Sequence, residues 1–196
     1  MKIIIDNGHG IETAGKCSPD MSLHEYKWTR DIAQRLSRAL TLSGIDTVLL
    51  VPEIQDTPLR ERVRRVNAWC SKLGAANCLL VSLHINAAPG ARWSSPSGFC
   101  PFVAPNASHD SKRFARLLYQ EAVSAGLKGN RCVPPQQYWV GDFAIIRDTK
   151  CPAVLSENLF MTNKDEVSYL LSEQGRQTIV DIHANAIKRY LDSETI

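Results

Sequence analysis

The sequence predicts an α/β domain: a three-layer α/β/α sandwich around a largely parallel, mixed sheet of about six strands. Three observations predict it. Short apolar runs without alternation, such as residues 78–83, have the pattern of strands covered on both faces. Longer stretches repeat apolar residues every three or four positions, the period of a helix. The two kinds of segment take turns along the chain, as they do when crossover helices wrap a sheet.

Each element has its own signal. Residues 2–6 are a first strand, and Asn7-Gly8-His9-Gly10 leaves it in a turn whose glycines permit unusual backbone angles. Residues 11–21 form a loop. Residues 22–42 are a helix with Trp28, Ile32, Leu36 and Leu40 on one stripe, Ala33 and Ala39 beside it, and Gly44 as the stop. Residues 45–51 are a second strand. Thr57 caps a second helix with Pro58 at its first position. Leu59, Val63, Val66, Cys70 and Leu73 make its inner stripe. Arg60, Arg62, Arg64 and Arg65 read as a solvated basic face.

Residues 77–89 hold the third strand, broken at Pro89-Gly90, and a loop over 91–97 leads to a fourth strand at 98–103. A helix over 108–125 turns Phe114, Leu118, Ala122 and Ala125 inward and closes at Gly126. Residues 128–142, with two prolines, two glutamines, Tyr138 and Trp139, read as a surface segment suited to line a groove. Strands are expected at 143–146 and, after Cys151-Pro152, at 153–156. Asn163-Lys164-Asp165-Glu166 fits a capping box before a short helix. A last helix places Ile179, Ile182, Ala186, Ile187 and Tyr190 inward. Pattern alone does not order the strands.

Composition narrows the function classes. The 196 residues suffice for one domain with a real core, and a single domain is expected over 1–196. A net charge of +3 is too small to argue for nucleic acid. No apolar run approaches the roughly 20 residues of a membrane helix. The first residues lack a signal-peptide pattern, since only three apolar residues precede Asp6. Synthesis in the cytoplasm is therefore expected; a monomer is expected as well. None of the six cysteines forms C-x-x-C, so a structural zinc site is not expected, and reduced, mostly buried thiols are.

Four residues at strand ends or a helix start carry the chemistry. His9 follows the first strand, His84 ends the third, Glu157 closes the strand after Cys151-Pro152, and Glu25 lies in the first turn of the first helix. In an open α/β sheet, ligands bind beyond the carboxyl ends of the strands. Two imidazoles and one carboxylate with an open position make a catalytic zinc set, and a further carboxylate then serves as general base. Two readings of Glu25 stay open at this level, because Ser22-x-x-Glu25 is also a capping box. Asn86 and Asn7 are candidates for second-shell or substrate contacts, with loop capping as the alternative for Asn86. His183 is expected to pack in the core, and His109 to be exposed. His24 neighbours Glu25 and competes with it as the ligand.

At these residues the sequence resembles the zinc-dependent N-acetylmuramoyl-L-alanine amidases. The family's Ile-Asp-x-Gly-His-Gly stands at Ile5-Asp6-Asn7-Gly8-His9-Gly10, and its helix-leading Glu at Glu25. Its Leu-x-x-Arg stands at Leu59-Arg60-Glu61-Arg62, followed by Asn67. Its Ser-x-His-x-Asn-Ala stands at Ser82 to Ala87, and its Pro-x-x-Leu-x-Glu-x-x-Phe-x-x-Asn at Pro152 to Asn163. Four such motifs in order are specific, and they cover nearly the whole chain. The family often has Asn a few residues after the metal Glu, where Trp28-Thr29-Arg30 stand here.

The resemblance implies one catalytic Zn2+ on His9, Glu25 and His84, Glu157 as general base, and peptidoglycan as substrate. The reaction it implies is hydrolysis of the amide between N-acetylmuramic acid and the L-alanine of the stem peptide, acting at the cell wall. A phage or prophage lysin released through a holin, or export by another route, would fit. The alternatives are a zinc peptidase cutting inside the stem peptide and a non-catalytic wall-binding module.

Overall fold

The first strand, β1 (Lys2–Asn7), lies second from one edge of a six-stranded sheet. The computed structural model describes residues 1–192, so the last four residues of the expected domain lie outside the described residues. The other strands are β2 (Thr47–Leu49), β3 (Cys78–Asn86), β4 (Cys100–Val103), β5 (Trp139–Val140) and β6 (Ala153–Phe160). Their order is β2-β1-β3-β6-β4-β5. All neighbours are parallel except β4 and β6. The sheet is therefore mixed and largely parallel, as the sequence predicts.

Helices cover both faces. On one side α1 (Glu25–Leu42), α3 (His109–Ser124), α5 (Lys164–Leu171) and α6 (Glu173–Asp192) bury the odd-numbered residues of β1 and β3, among them Ile3, Ile5, Leu79 and Val81. On the other side α2 (Leu59–Leu73) and the single turn α4 (Ala144–Arg147) cover Ile4, Leu80 and Leu155. The doubly buried stretches of β1 and β3 read as nearly continuous apolar runs, which is why period-two alternation is missing there. The chain leaves β1 toward β2 on one side and reaches β3 on the other. The C-terminal ends of β1 and β3 thus flank the point where the strand order reverses, where a crevice opens.

Several boundaries and one element differ from expectation. The helix read over 22–42 begins at Glu25, with His24 as an extended N-cap, because Ser22 is held by Asp20 in a preceding turn. The Ser22–Glu25 capping box does not form. The strand expected at 143–146 is the helical turn α4, with Ile145 and Ile146 both buried over the α2 face. A four-residue apolar run carries no period of its own, and Trp139–Val140 takes the edge beside β4 instead. Leu59, expected inside, is 55% exposed, whereas Arg62 is 2% exposed. The inner stripe of α2 therefore starts with an arginine, on the register of Val66 and Cys70. The cysteines are all free; four are buried and Cys132 is exposed.

Candidate metal centre

β3 and β6 bring the first two site residues together. His84 and Glu157 are direct partners in the parallel pair, so their side chains leave the same face of adjacent strands. The register then slips: Asn86 faces Phe160, so two steps on β3 match three on β6. The extra residue is a bulge with Leu159 at φ 66°, a left-handed conformation that costs a non-glycine roughly 1–2 kcal/mol. Asn158 fixes the bulge. Its buried amide donates to the carbonyls of His84 (2.9 Å) and Ser156 (3.0 Å). Beneath it, the Ser156 hydroxyl meets His183 Nε2 at 2.9 Å, and His183 Nδ1 lies 2.8 Å from the Ile179 carbonyl. His183 is a packed core histidine, as expected.

The turn after β1 delivers His9. The sequence suggests that its glycines supply the unusual angles, but the left-handed residue is His9 itself, at φ 61°. The glycines serve close approach. A Cβ on Gly8 would lie 2.4–2.8 Å from three atoms of the His84 ring. One on Gly10 would lie 2.1 Å from the backbone nitrogen of Asp56. The imidazoles of His9 and His84 meet edge to face, with centroids 5.0 Å apart.

Glu25 comes from the start of α1 and is 1% exposed. Its amide bonds to the Lys16 carbonyl, which pins the helix start to the preceding loop. Oε1 accepts from the Ile85 amide at 2.9 Å and lies 3.1 Å from His84 Nδ1. Oε2 lies 3.5 Å from His9 Nε2 and has no hydrogen-bond partner among the described residues. Glu157 Oε2 is likewise buried without one.

Burial and mutual charge set the protonation states. Burial lowers the His9 imidazole to about 4, against the pull of Glu25. Burial alone would raise the Glu25 carboxyl; the bond and charge of His84, the charge of His9 and the Ile85 amide hold it below its ordinary value. Burial would lower His84, but Glu25 outweighs it and raises the imidazole. Glu157 is raised to about 7, by burial first, with His84 opposing and Glu25 adding to the rise.

The donor set fits a metal ion. Ligand atoms of His9, Glu25 and His84 all lie within 4.8 Å of one another, and no other such group occurs among the described residues. A tetrahedral zinc with bonds of about 2.0–2.2 Å holds its ligand atoms roughly 3.3–3.6 Å apart. The free oxygen of Glu25, Oε2, lies 3.5 Å from His9 Nε2, at that spacing. Glu25 also presents an unpartnered oxygen where an ion would need one. His24 takes no part; it caps α1 and bridges to Cys17.

The secondary candidates divide. Asn86 Oδ1 accepts from the Ala87 amide at 2.8 Å, the loop-capping alternative. Asn7 is 2% exposed, and its carbonyl accepts from Arg62 at 2.6 Å. Arg30, Thr29 and Arg62 contact the site's turn; of these the sequence points only to Arg62, through the Leu-x-x-Arg motif, and gives it no place at the site. Thr29 Oγ1 donates to the Gly8 carbonyl, and Arg30 Nη1 to that of His9. The signal for Arg62 was its spacing: four residues before Val66, it falls on the buried stripe.

A family model described as N-acetylmuramoyl-L-alanine amidase matches residues 3–189. The chain belongs to the N-acetylmuramoyl-L-alanine amidase family. Among relatives of this amidase domain, the endolysin of Bacillus phage SPP1 is 26% identical over 193 residues, covering 96% of this chain and 65% of the endolysin. N-acetylmuramoyl-L-alanine amidase CwlM of Bacillus licheniformis is 25% identical over 192 residues, covering 96% and 68%. The chain thus spans about two thirds of the length of these relatives. The catalytic domain of the amidase CwlV from Bacillus (Paenibacillus) polymyxa var. colistinus superposes with a TM-score of 0.80 at 25% identity, covering 97% of this chain and 98% of that one. An amidase from Clostridium difficile 630 shares the fold, with a TM-score of 0.83 at 23% identity over 98% of this chain and 97% of its own. No helix among the described residues is long and apolar enough to cross a membrane.

Proposed function

We propose that this chain hydrolyses the amide bond between N-acetylmuramic acid and L-alanine in peptidoglycan, with one zinc ion held by His9, Glu25 and His84. The observation that carries the reading is the convergence of those three donors within 4.8 Å, with Glu157 beside His84 on the neighbouring strand. A bound zinc would supply Lewis acidity, polarising a carbonyl and acidifying water. Glu157 takes the proton of the attacking water and later delivers it to the alanine nitrogen. Its environment suits both steps, because burial brings the carboxyl close to neutrality in the metal-free chain. Glu25 accepts the Ile85 amide and so presents its free oxygen toward His9. Glu25 is buried, whereas the rings of His9 and His84 are partly exposed, so water and substrate can reach the centre. In this reading the chain is a single catalytic domain, acts as a monomer and works at the cell wall.

Mass spectrometry of digested cell walls tests the reaction. Glycan strands stripped of whole stem peptides are expected. Fragments cut within the stem would instead make the chain a peptidase. Walls bound but not cut, with zinc present, would make it a binding module.

A further inference from the structure

Three successive carbonyls at the end of β1 are each held by side chains of the helical layers, and the last of them, that of His9, from both layers. Asn7 O accepts from Arg62 Nη1 at 2.6 Å, and Gly8 O from Thr29 Oγ1 at 3.1 Å. His9 O accepts twice, from Arg30 Nη1 of α1 at 3.0 Å and from Arg62 Nη2 of α2 at 3.2 Å. Each guanidinium is fixed in turn. Arg62 pairs with Asp6 at 2.7 Å and bonds to the Thr57 carbonyl and Asp56. Asp6 is itself held by the Ser82 hydroxyl at 2.6 Å. Arg30 clasps the Glu53 carbonyl with two nitrogens, at 3.0 and 2.7 Å, and the Tyr26 carbonyl with a third bond.

The held residue is the one with unfavourable geometry. His9 sits at φ 61°, where a non-glycine residue persists only if its surroundings enforce it. Relaxation to negative φ would swing Cβ and the imidazole away from Glu25. Resting on the metal-centre reading above, we infer that Arg30 and Arg62 are positioning residues for the metal. They act through the His9 main chain, not through its ring. The pair sets the aim of one ligand from helices on opposite faces of the sheet.

The test measures zinc affinity by chelator competition, the visible spectrum of the cobalt-substituted protein, and the melting temperature of the metal-free protein. Arg30→Met and Arg62→Lys are the variants. Lysine keeps a charge beside Asp6 but cannot span both carbonyls. Arg35→Met, on an exposed pair of the same helix, is the control. Zinc affinity is expected to fall about 10- to 100-fold in both variants, the range for groups that orient a metal ligand. The cobalt spectrum is expected to shift, and the control to keep both properties. Should Arg62→Lys fail to fold, Arg30→Met carries the test, because Arg30 is only part-buried. Lowered melting temperatures with unchanged affinity and spectrum would make both arginines merely structural and overturn the inference. A wild-type chain that binds no zinc would overturn the metal centre and the inference together.

Discussion

Replacing Gly8 with alanine should separate the metal centre from the fold. The new Cβ would lie 2.4 Å from His84 Cε1, 2.6 Å from Nδ1 and 2.8 Å from Nε2. Ordinary contact needs about 3.5 Å, so the ring must retreat by roughly 1 Å, several times the 0.2 Å or so that metal–ligand distances tolerate. Gly8 has no positive φ, so the backbone itself accepts alanine. Loss of ligand geometry should weaken zinc by at least the roughly 100-fold seen when orienting groups are removed. At zinc equal to 100 times the wild-type Kd, binding stabilises by about 2.7 kcal/mol, and at a Kd 100-fold weaker by about 0.4 kcal/mol. For a chain of this size that is a zinc-dependent rise in Tm of roughly 5–11 °C in wild type against about 1–2 °C in the variant. Thermal scans with and without zinc read it directly. An unchanged increment in Gly8→Ala would show that the ring contact has no bearing on the ion, and would refute the geometry.

Other perturbations follow from the same structure. Glu157→Gln should keep zinc stoichiometry while dye release from purified walls falls about 10²- to 10⁴-fold, the usual worth of general acid–base catalysis. His84→Ala should lose both metal and activity, as read by metal analysis beside the same assay. His183 should make the fold acid-sensitive. It stays neutral down to about 4 because it is buried, whereas the unfolded chain takes up that proton near 6.5. Stability therefore falls as pH drops through that window, by about 3 kcal/mol over the full shift. His183→Gln should flatten the slope of urea midpoint against pH between 4 and 6.5; an unchanged slope would assign the sensitivity elsewhere.

The fold was legible because its strands are buried on both faces. Continuous apolar runs such as Cys78 to Leu83 can hardly be read otherwise once caps and glycine stops bound the helices between them. Residues 143–146 carry no such signal: four apolar residues fit either a strand or one helical turn, and only the neighbour at the sheet edge decides. Of the candidate site, His9, His84 and Glu157 could be read, since each follows or ends an apolar run. Glu25 was ambiguous between cap and ligand, and the structure resolves its local role: the helix begins at Glu25, so no capping box forms. The supporting arginines were the least visible. Arg62 lies among four arginines in six residues, and a charge run is usually solvated. Its burial depends on Asp6 and on the carbonyls of the β1 turn, which are remote in sequence. The left-handed angle at His9 was hidden behind its glycine neighbours.

The most direct measurement is a crystal structure of the zinc-loaded chain with data collected across the zinc absorption edge. One anomalous peak is expected, within bonding distance of His9, Glu25 and His84, with Glu157 nearby but outside the coordination sphere. A peak bound to other residues, or none at this rim of the sheet, would contradict the account.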